Sequence, residues 1–335
     1  MNHSPRPDHE ILEALHRIGL MADDVRFEAL AGGVSSDIWK VEIGDRVFCV
    51  KRALPKLKVA ADWVAPVERN RFEAAWYEIA NQIIPGVAPR VLAYDEDAIL
   101  FAMDYLDPAT HNLWKSELRD GRADPSQAEQ VGRRLVRVHA ATADDEAVRE
   151  RFPRTDIFQA IRLEPYLEAT AACHPDLRNS LFALSRRTAA TRLTMIHGDV
   201  SPKNILIGPA GPVFIDAECA CMGDPVFDLA FCLNHLLLKC LWKPNAREGY
   251  FDGFAQLVTG YMEGVTWEER TETEARAASL LPGLFLARVD GKSPVEYLND
   301  QADKNRVRRC ARRLLRTPPR RLIEVLDAWK RELNS

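Results

Sequence analysis

The stretch Met195–Glu218, MIHGDVSPKNILIGPAGPVFIDAE, constrains this chain more than any other: it sets two aspartates, an asparagine, a lysine and a histidine around short apolar runs. Ile205-Leu206-Ile207 and Val213-Phe214-Ile215 are β-branched or aromatic runs, and Gly208-Pro209-Ala210-Gly211-Pro212 between them is a turn signal. The pattern predicts a β-hairpin. A symmetric five-residue loop sets Ile207 against Val213 and Ile205 against Ile215, so Asn204 faces Asp216 with Cβ atoms roughly 5 Å apart. Two oxygen donors flanking one point suit Mg²⁺, a hard cation that takes few protein ligands and completes its shell with water and phosphate oxygens. Asp199 precedes Asn204 on the approaching loop and projects toward the same point without being held by a metal, which leaves it free to act as a base. Asp and Asn beside strands often do no more than cap turns. That alternative has to explain several motifs at once.

Length gives a prior of about two domains for 335 residues, and 47% hydrophobic with 28% charged content is ordinary for a globular protein. A net charge of −4 argues against nucleic acid or an anionic membrane as the main partner. The opening MNHSPRPDHE has no basic segment followed by an apolar run, and no stretch reads as the roughly 18 apolar residues of a membrane span. The expected location is cytoplasmic. Seven scattered cysteines, several in apolar runs such as Val47-Phe48-Cys49-Val50, read as reduced and buried. Cys219 and Cys221 form the one close pair, with His235 the only nearby candidate to join them, so a structural role is favoured over zinc.

Val25–Leu30, Ile38–Ile43 and Val47–Ala53 predict a three-stranded antiparallel start. The first connection carries Gly32, Gly33, Ser35 and Ser36. Glycines there let backbone N–H groups approach phosphate oxygens and the serines add donors, although a Gly-Gly pair alone equally fits a hairpin turn. Lys51, beside apolar Cys49 and Val50, projects from a packed sheet into a cleft; an exposed strand lysine is the plainer alternative. A helical run follows over Val67–Ile84, then a second hairpin over Arg90–Asp95 and Ala98–Leu106. From Pro125 onward Val131, Leu135, Val138 and His139 share one helix face. Residues 152–194 and 226–335 read as helical, and the basic run Lys304–Arg321 fits a solvated helix face or an anion or nucleic-acid site.

His197-Gly198-Asp199, Asn204, Ile215-Asp216, Gly223-Asp224-Pro225 and Asp228-Leu229-Ala230 occur in an order and spacing that resembles the catalytic core of the aminoglycoside phosphotransferase and choline kinase families, relatives of protein kinases. The resemblance implies an α+β, bilobal, protein-kinase-like fold. Residues 1–106 would form an antiparallel sheet lobe with one long helix, and 107–335 a mostly helical lobe carrying the catalytic hairpin. It also implies ATP and Mg²⁺ as cofactors, and transfer of the γ-phosphate to a hydroxyl of a small molecule. In that scheme Lys51 pairs the α- and β-phosphates and is held by a helix glutamate. Glu73 is preferred to Glu78, because its distance to the following strand resembles the family spacing. The backbone near Asp104 and Leu106 reads the adenine edge, Asn204 and Asp216 hold metal, and Asp199 orients the acceptor hydroxyl and takes its proton. His139 packs in the core, Asp228 bonds catalytic-loop backbone, and Glu218 either assists metal or water or sits in a surface turn.

Lys203 departs from the family loop, in which a small residue commonly precedes the metal-binding asparagine. It either reaches the transferring phosphate as a catalytic group or is solvated. The acceptors implied by the family include aminoglycosides, choline, methylthioribose and homoserine. Residues Arg69–Leu106 look like the corresponding part of methylthioribose kinases, which makes that sugar the named alternative, although Ser201-Pro202-Lys203 fits their loop poorly. The Arg-rich tail favours an anionic or neutral acceptor. A protein kinase would need a longer segment between Asp216 and the next helix, and a non-catalytic pseudokinase would typically have lost Lys51, Asp199, Asn204 or Asp216. The expected partner is a small hydroxyl-bearing molecule, with neither nucleic acid nor membrane.

Overall fold

Between Val25 and Asp104 the chain lays down five antiparallel strands in a computed structural model that describes residues 6–30, 36–55 and 66–335. These are β1 (Val25–Ala29), β2 (Ser36–Ile43), β3 (Arg46–Ala53), β4 (Val91–Asp95) and β5 (Leu100–Asp104), in the order β1-β2-β3-β5-β4. Lys51 pairs with Ile38 on one side and Phe101 on the other, and Cys49 with Met103, so these side chains share one face. Phe48, Val50, Leu100 and Ala102 point to the opposite face. There they meet Ile11, Ala14 and Leu15 of α1 (His9–Arg17).

Helix α1 is an addition to the single long helix expected of this lobe. Its signal lies in the sequence: Asp8 caps it, accepting the Ile11 N–H at 3.1 Å, and Ile11, Ala14 and Leu15 fall at i, i+3 and i+4. Arg17 then clamps both oxygens of Asp95 at 2.8 Å, pinning the helix to the end of β4. The long helix α2 (Arg69–Ile83) packs on the Lys51 face, where Phe72, Trp76 and Ala80 join Cys49, Phe101 and Met103 in the main core. Gly32, Gly33 and Ser35 lie outside the described residues; Ser36 opens β2.

The rest is mainly helical, with two small sheets at the loop-bearing edge. β6 (Asn112–Leu113), β8 (Ile205–Gly208) and β9 (Gly211–Phe214) form one, and β7 (Thr194–Ile196) with β10 (Cys221–Gly223) the other. The hairpin exists, but its expected register is wrong by one residue. Gly208 faces Gly211 and Ile205 faces Phe214, so the loop is the two-residue Pro209-Ala210 and Asn204 sits across from Ile215, whose N–H it accepts at 2.9 Å. Gly211 at φ 107° makes the tighter reversal possible.

Helix Pro225–Trp242 is the centre of this half, with helices Arg247–Met262 and Arg270–Asp290 packed on it. Its 18 residues reach a mean hydropathy of 1.3, long and apolar enough to cross a membrane, against the expectation that no stretch does. Since 94% of it is buried inside the protein, core packing accounts for that composition. Residues Gln159–Glu168 form a π-helix rather than an α-helix, and Pro165 inside it supplies no backbone N–H to the ladder. The basic run lies largely in helix Gln301–Arg316, where Arg308 pairs with Asp290, Arg309 with Glu332, and Arg312 and Arg316 with Asp176. Much of its charge is thus locally neutralised.

Candidate active site

Lys51 and Asp216 come from opposite halves of the chain and meet at 2.6 Å. Glu73 on α2 holds the same ammonium at 2.8 Å, while Glu78 points away and pairs with Arg151. Tyr77, one turn after Glu73, closes the arrangement: its hydroxyl donates to Glu73 at 2.7 Å and accepts the Asp216 N–H at 2.7 Å. Burial works to discharge Lys51, but the charges of Asp216 and Glu73 outweigh it and hold the ammonium above lysine's ordinary value. Burial likewise opposes ionisation of Asp216, and Lys51 prevails, holding its carboxyl well below the usual carboxylate range. Asp216 has φ 67°, and this kink directs its side chain toward Lys51.

The loop after β7 is fixed by its backbone. Asp228 accepts the N–H groups of His197 and Gly198 at 2.7 and 2.8 Å, and His139, wholly buried, supports Asp228 at 3.2 Å. His197 receives the Asp199 N–H on Nδ1 at 3.2 Å, so Nε2 carries the proton donated to the Ile215 carbonyl at 3.1 Å. Burial depresses its pKa and keeps the ring neutral. Gly198 at φ 76° is forced to be glycine, since an added Cβ would lie 2.6 Å from Cys219 Cβ. Gly198→Ala is therefore expected to cost at least about 2 kcal/mol from backbone strain and displacement of Cys219. Urea unfolding checks this, and a loss below about 0.5 kcal/mol would mean the loop has room to adjust.

Asp199 is almost fully buried, with one oxygen crowded and one open. Oδ2 receives Arg162 at 2.7 Å, Asn204 Nδ2 at 2.8 Å and Lys203 at 3.2 Å; Oδ1 has no partner among the described residues. Burial opposes its ionisation, but Arg162 and Lys203 together keep the carboxyl below its ordinary value. Asn204 Nδ2 is thus committed to Asp199, which leaves Asn204 Oδ1 and Asp216 Oδ2 without partners among the described residues. Two free, hard oxygen donors of this kind fit Mg²⁺, whose remaining positions are commonly filled by phosphate and water. Lys203 has half its side-chain surface exposed.

Other expected positions sit around this centre. Ser36 lies on the Lys51 face, and its buried hydroxyl has no hydrogen-bond partner among the described residues. Asp104 donates its N–H to the Arg90 carbonyl, and the Leu106 N–H makes no hydrogen bond among the described residues. Glu218 is buried against Arg69 of α2 at 3.0 Å, which removes the surface-turn alternative. Cys219, Cys221 and His235 are all buried, and no metal-holding group of three His, Cys, Asp or Glu occurs among the described residues. Three side chains at the site escaped the sequence reading. Tyr77 was accessible as the i+4 neighbour of Glu73. Arg162 and Arg69 carried no local signal, because their partners lie far along the chain.

A family model described as the phosphotransferase enzyme family matches residues 26–267. Among curated proteins, a methylthioribose kinase of Yersinia pseudotuberculosis serotype O:3 (strain YPIII) is 24% identical over 267 residues, covering 70% of this chain and 65% of its own. One of Bacillus cereus (strain B4264) is 26% identical over 236 residues, covering 63% and 60%. The chain thus spans less than two thirds of the length of these relatives. Among solved structures, a choline/ethanolamine kinase family protein from Mesorhizobium loti aligns with a TM-score of 0.55 at 19% identity, covering 96% of this chain and 99% of that one. An amicoumacin kinase in complex with AMP-PNP, Ca²⁺ and Ami gives 0.56 at 13% identity, covering 90% of each. The fold is the one these kinases share.

Proposed function

The chain belongs to the phosphotransferase enzyme family, and from that premise we propose that it transfers the γ-phosphate of ATP to a hydroxyl of a small molecule. The observation that carries the reading is Asp199: a buried carboxylate held ionised by Arg162 and Lys203, with one oxygen unpartnered among the described residues and near enough to Asp216 to feel its charge. We take residues 1–106 as the nucleotide lobe and 107–335 as the catalytic and acceptor lobe. Seven free cysteines accord with a reducing, cytoplasmic setting.

Phosphoryl transfer asks mainly for positioning and charge stabilisation. In this scheme Lys51, held by Glu73, which Tyr77 in turn supports, receives nucleotide phosphates, with Ser36 and the loop containing Gly32, Gly33 and Ser35 adding donors. The Asp104 carbonyl and Leu106 N–H address the adenine edge. Asn204 Oδ1 and Asp216 Oδ2 hold Mg²⁺, which when bound offsets the charge of the phosphates. Asp199 Oδ1 accepts the hydroxyl of the acceptor. Because Arg162 and Lys203 make Asp199 a weak base, it orients that oxygen first and takes its proton as the new bond forms. Methylthioribose, named by the curated relatives, is the alternative acceptor. ADP release from Mg-ATP across a panel of small alcohols that includes it, with thermal shift on Mg-ATP as the binding control, tests the reading. Nucleotide stabilisation with no acceptor-dependent ADP would favour a non-catalytic binding role.

Lys203 reaches Asp199 and retains an exposed flank, so we assign it to charge that grows on the transferring phosphate. Lys203→Met is expected to lower kcat about tenfold, roughly 1.4 kcal/mol of transition-state stabilisation, with ATP KM nearly unchanged. Steady-state kinetics at saturating acceptor decides it. Unchanged kcat would return this lysine to the solvated surface.

A further inference from the structure

Helix Pro225–Trp242 carries a stripe that starts at the catalytic loop and ends in an unpaired cation. Asp228 bonds the loop backbone, and Phe231, His235, Lys239 and Trp242 follow at three- and four-residue spacing. At 1.5 Å per residue Lys239 lies about 16 Å along the axis from Asp228. The Lys239 side chain is buried, and its ammonium makes neither an ion pair nor a hydrogen bond among the described residues. It lies over two aromatic rings, Trp242 at 4.5 Å and Tyr297 at 5.0 Å, themselves stacked at 4.2 Å, and feels the charges of the neighbouring Lys115–Glu296 pair without pairing to either. Burial, reinforced by the Lys115 charge, pushes its pKa down to about 7.

A second cation converges on the same region from another helix. Arg288 donates to the Tyr166 hydroxyl at 3.0 Å and to Ser293, both neutral; its buried Nε has no partner, and it forms no ion pair among the described residues. Tyr166 packs edge-on against Phe231 at 5.4 Å, and Phe231 against His235 at 5.4 Å, which joins Arg288 to the stripe. Burial and the charges of Arg288, Lys239, Lys203 and Lys115 all depress the His235 pKa. The Tyr297 hydroxyl and Trp114 Nε1 are also buried without partners among the described residues. The carboxylates here are already engaged: Glu296 by Lys115 at 2.5 Å, and Asp199 by Arg162 and Lys203. A buried guanidinium without a counter-ion, beside spare donors and a lysine whose depressed pKa an arriving anion would raise, is complementary to an anion.

Resting on the kinase reading, we propose that these groups form an anion subsite for the acceptor. In an acceptor long enough to span both ends, the reacting hydroxyl meets Asp199, and a carboxylate or phosphate at the far end is received by Lys239 and Arg288 beside the stacked Trp242 and Tyr297 rings. Cationic alcohols are rejected by the same charges.

The test measures binding by calorimetry without nucleotide, using glycerate, glycerol 3-phosphate, glycerol and choline at equal ionic strength. One or both anions should bind, with glycerol and choline at least tenfold weaker; glycerate alone assigns a carboxylate and glycerol 3-phosphate alone a phosphate. Lys239→Met and Arg288→Gln should each weaken anion binding at least tenfold, whereas Lys51→Met, which disables the nucleotide site, should bind anions as wild type does. Far-UV spectra and cooperative melting establish folding, and Arg288→Gln carries the test should Lys239→Met not fold. Absence of anion binding, equal binding of all four compounds, or anion binding lost in Lys51→Met and kept in the other two variants overturns the subsite. Turnover of neutral or cationic alcohols without anion binding would remove the subsite and leave the kinase; anion binding without any phosphoryl transfer would do the reverse.

Discussion

Asp199→Asn is expected to lower kcat by about 10²–10⁴-fold while the protein remains folded and binds Mg-ATP with near wild-type affinity. The substitution preserves shape but removes the carboxylate assigned above to the acceptor hydroxyl. It also leaves Arg162, buried and 2.7 Å away, without its counter-charge. The melting temperature should therefore fall, because removing one partner of a buried pair typically costs about 3–5 kcal/mol. Kinetics are to be read well below the variant's unfolding transition, with calorimetry on Mg-ATP alongside. Turnover like wild type in a folded Asp199→Asn protein would take the proposed base out of the mechanism.

Asp216→Ala is expected to abolish most metal-dependent nucleotide binding, and Asn204→Ala to weaken it. Their effects should combine to less than the sum. Groups that share one ion typically couple by about 0.5–3 kcal/mol. The argument for a shared ion does not need the hairpin register, which places Asn204 opposite Ile215. It rests on the two free oxygens and on the Asp216 backbone at φ 67°, which aims the carboxylate at Lys51. The measurement is the Kd for ATP across a Mg²⁺ titration in both single variants and the double variant. A double loss equal to the sum of the single losses would separate the two residues into different sites.

How far the sequence revealed this arrangement depended on the range of the signal. The strands flanking the turn were legible because β-branched runs bounded by Gly and Pro are local. Their register was not, because it depends on which residues take the two central turn positions, and Gly211 settled that by adopting a positive φ. Glu73 is preferred to Glu78 because its distance to the next strand resembles the family spacing, and the structure puts Glu73 on Lys51 and Glu78 on Arg151. Helix α1 has a local signal too, in the Asp8 cap and the apolar spacing behind it, but that signal is short and follows a polar opening. Arg162 was beyond reach: it meets Asp199 from a π-helix whose departure from α geometry follows from Pro165 and packing, not from periodicity. Gly32, Gly33 and Ser35 remain expectations from sequence.

Phosphorus NMR of Mg-ATP incubated with the protein and each of the anionic, neutral and cationic alcohols tests the central claim most directly. The account predicts that the γ-phosphate resonance is replaced by that of a phosphomonoester of one alcohol, in step with ADP, and that Asp199→Asn suppresses both signals together. ATP that binds yet stays intact with every alcohol, or that yields ADP and inorganic phosphate at a rate independent of the alcohol, would contradict it.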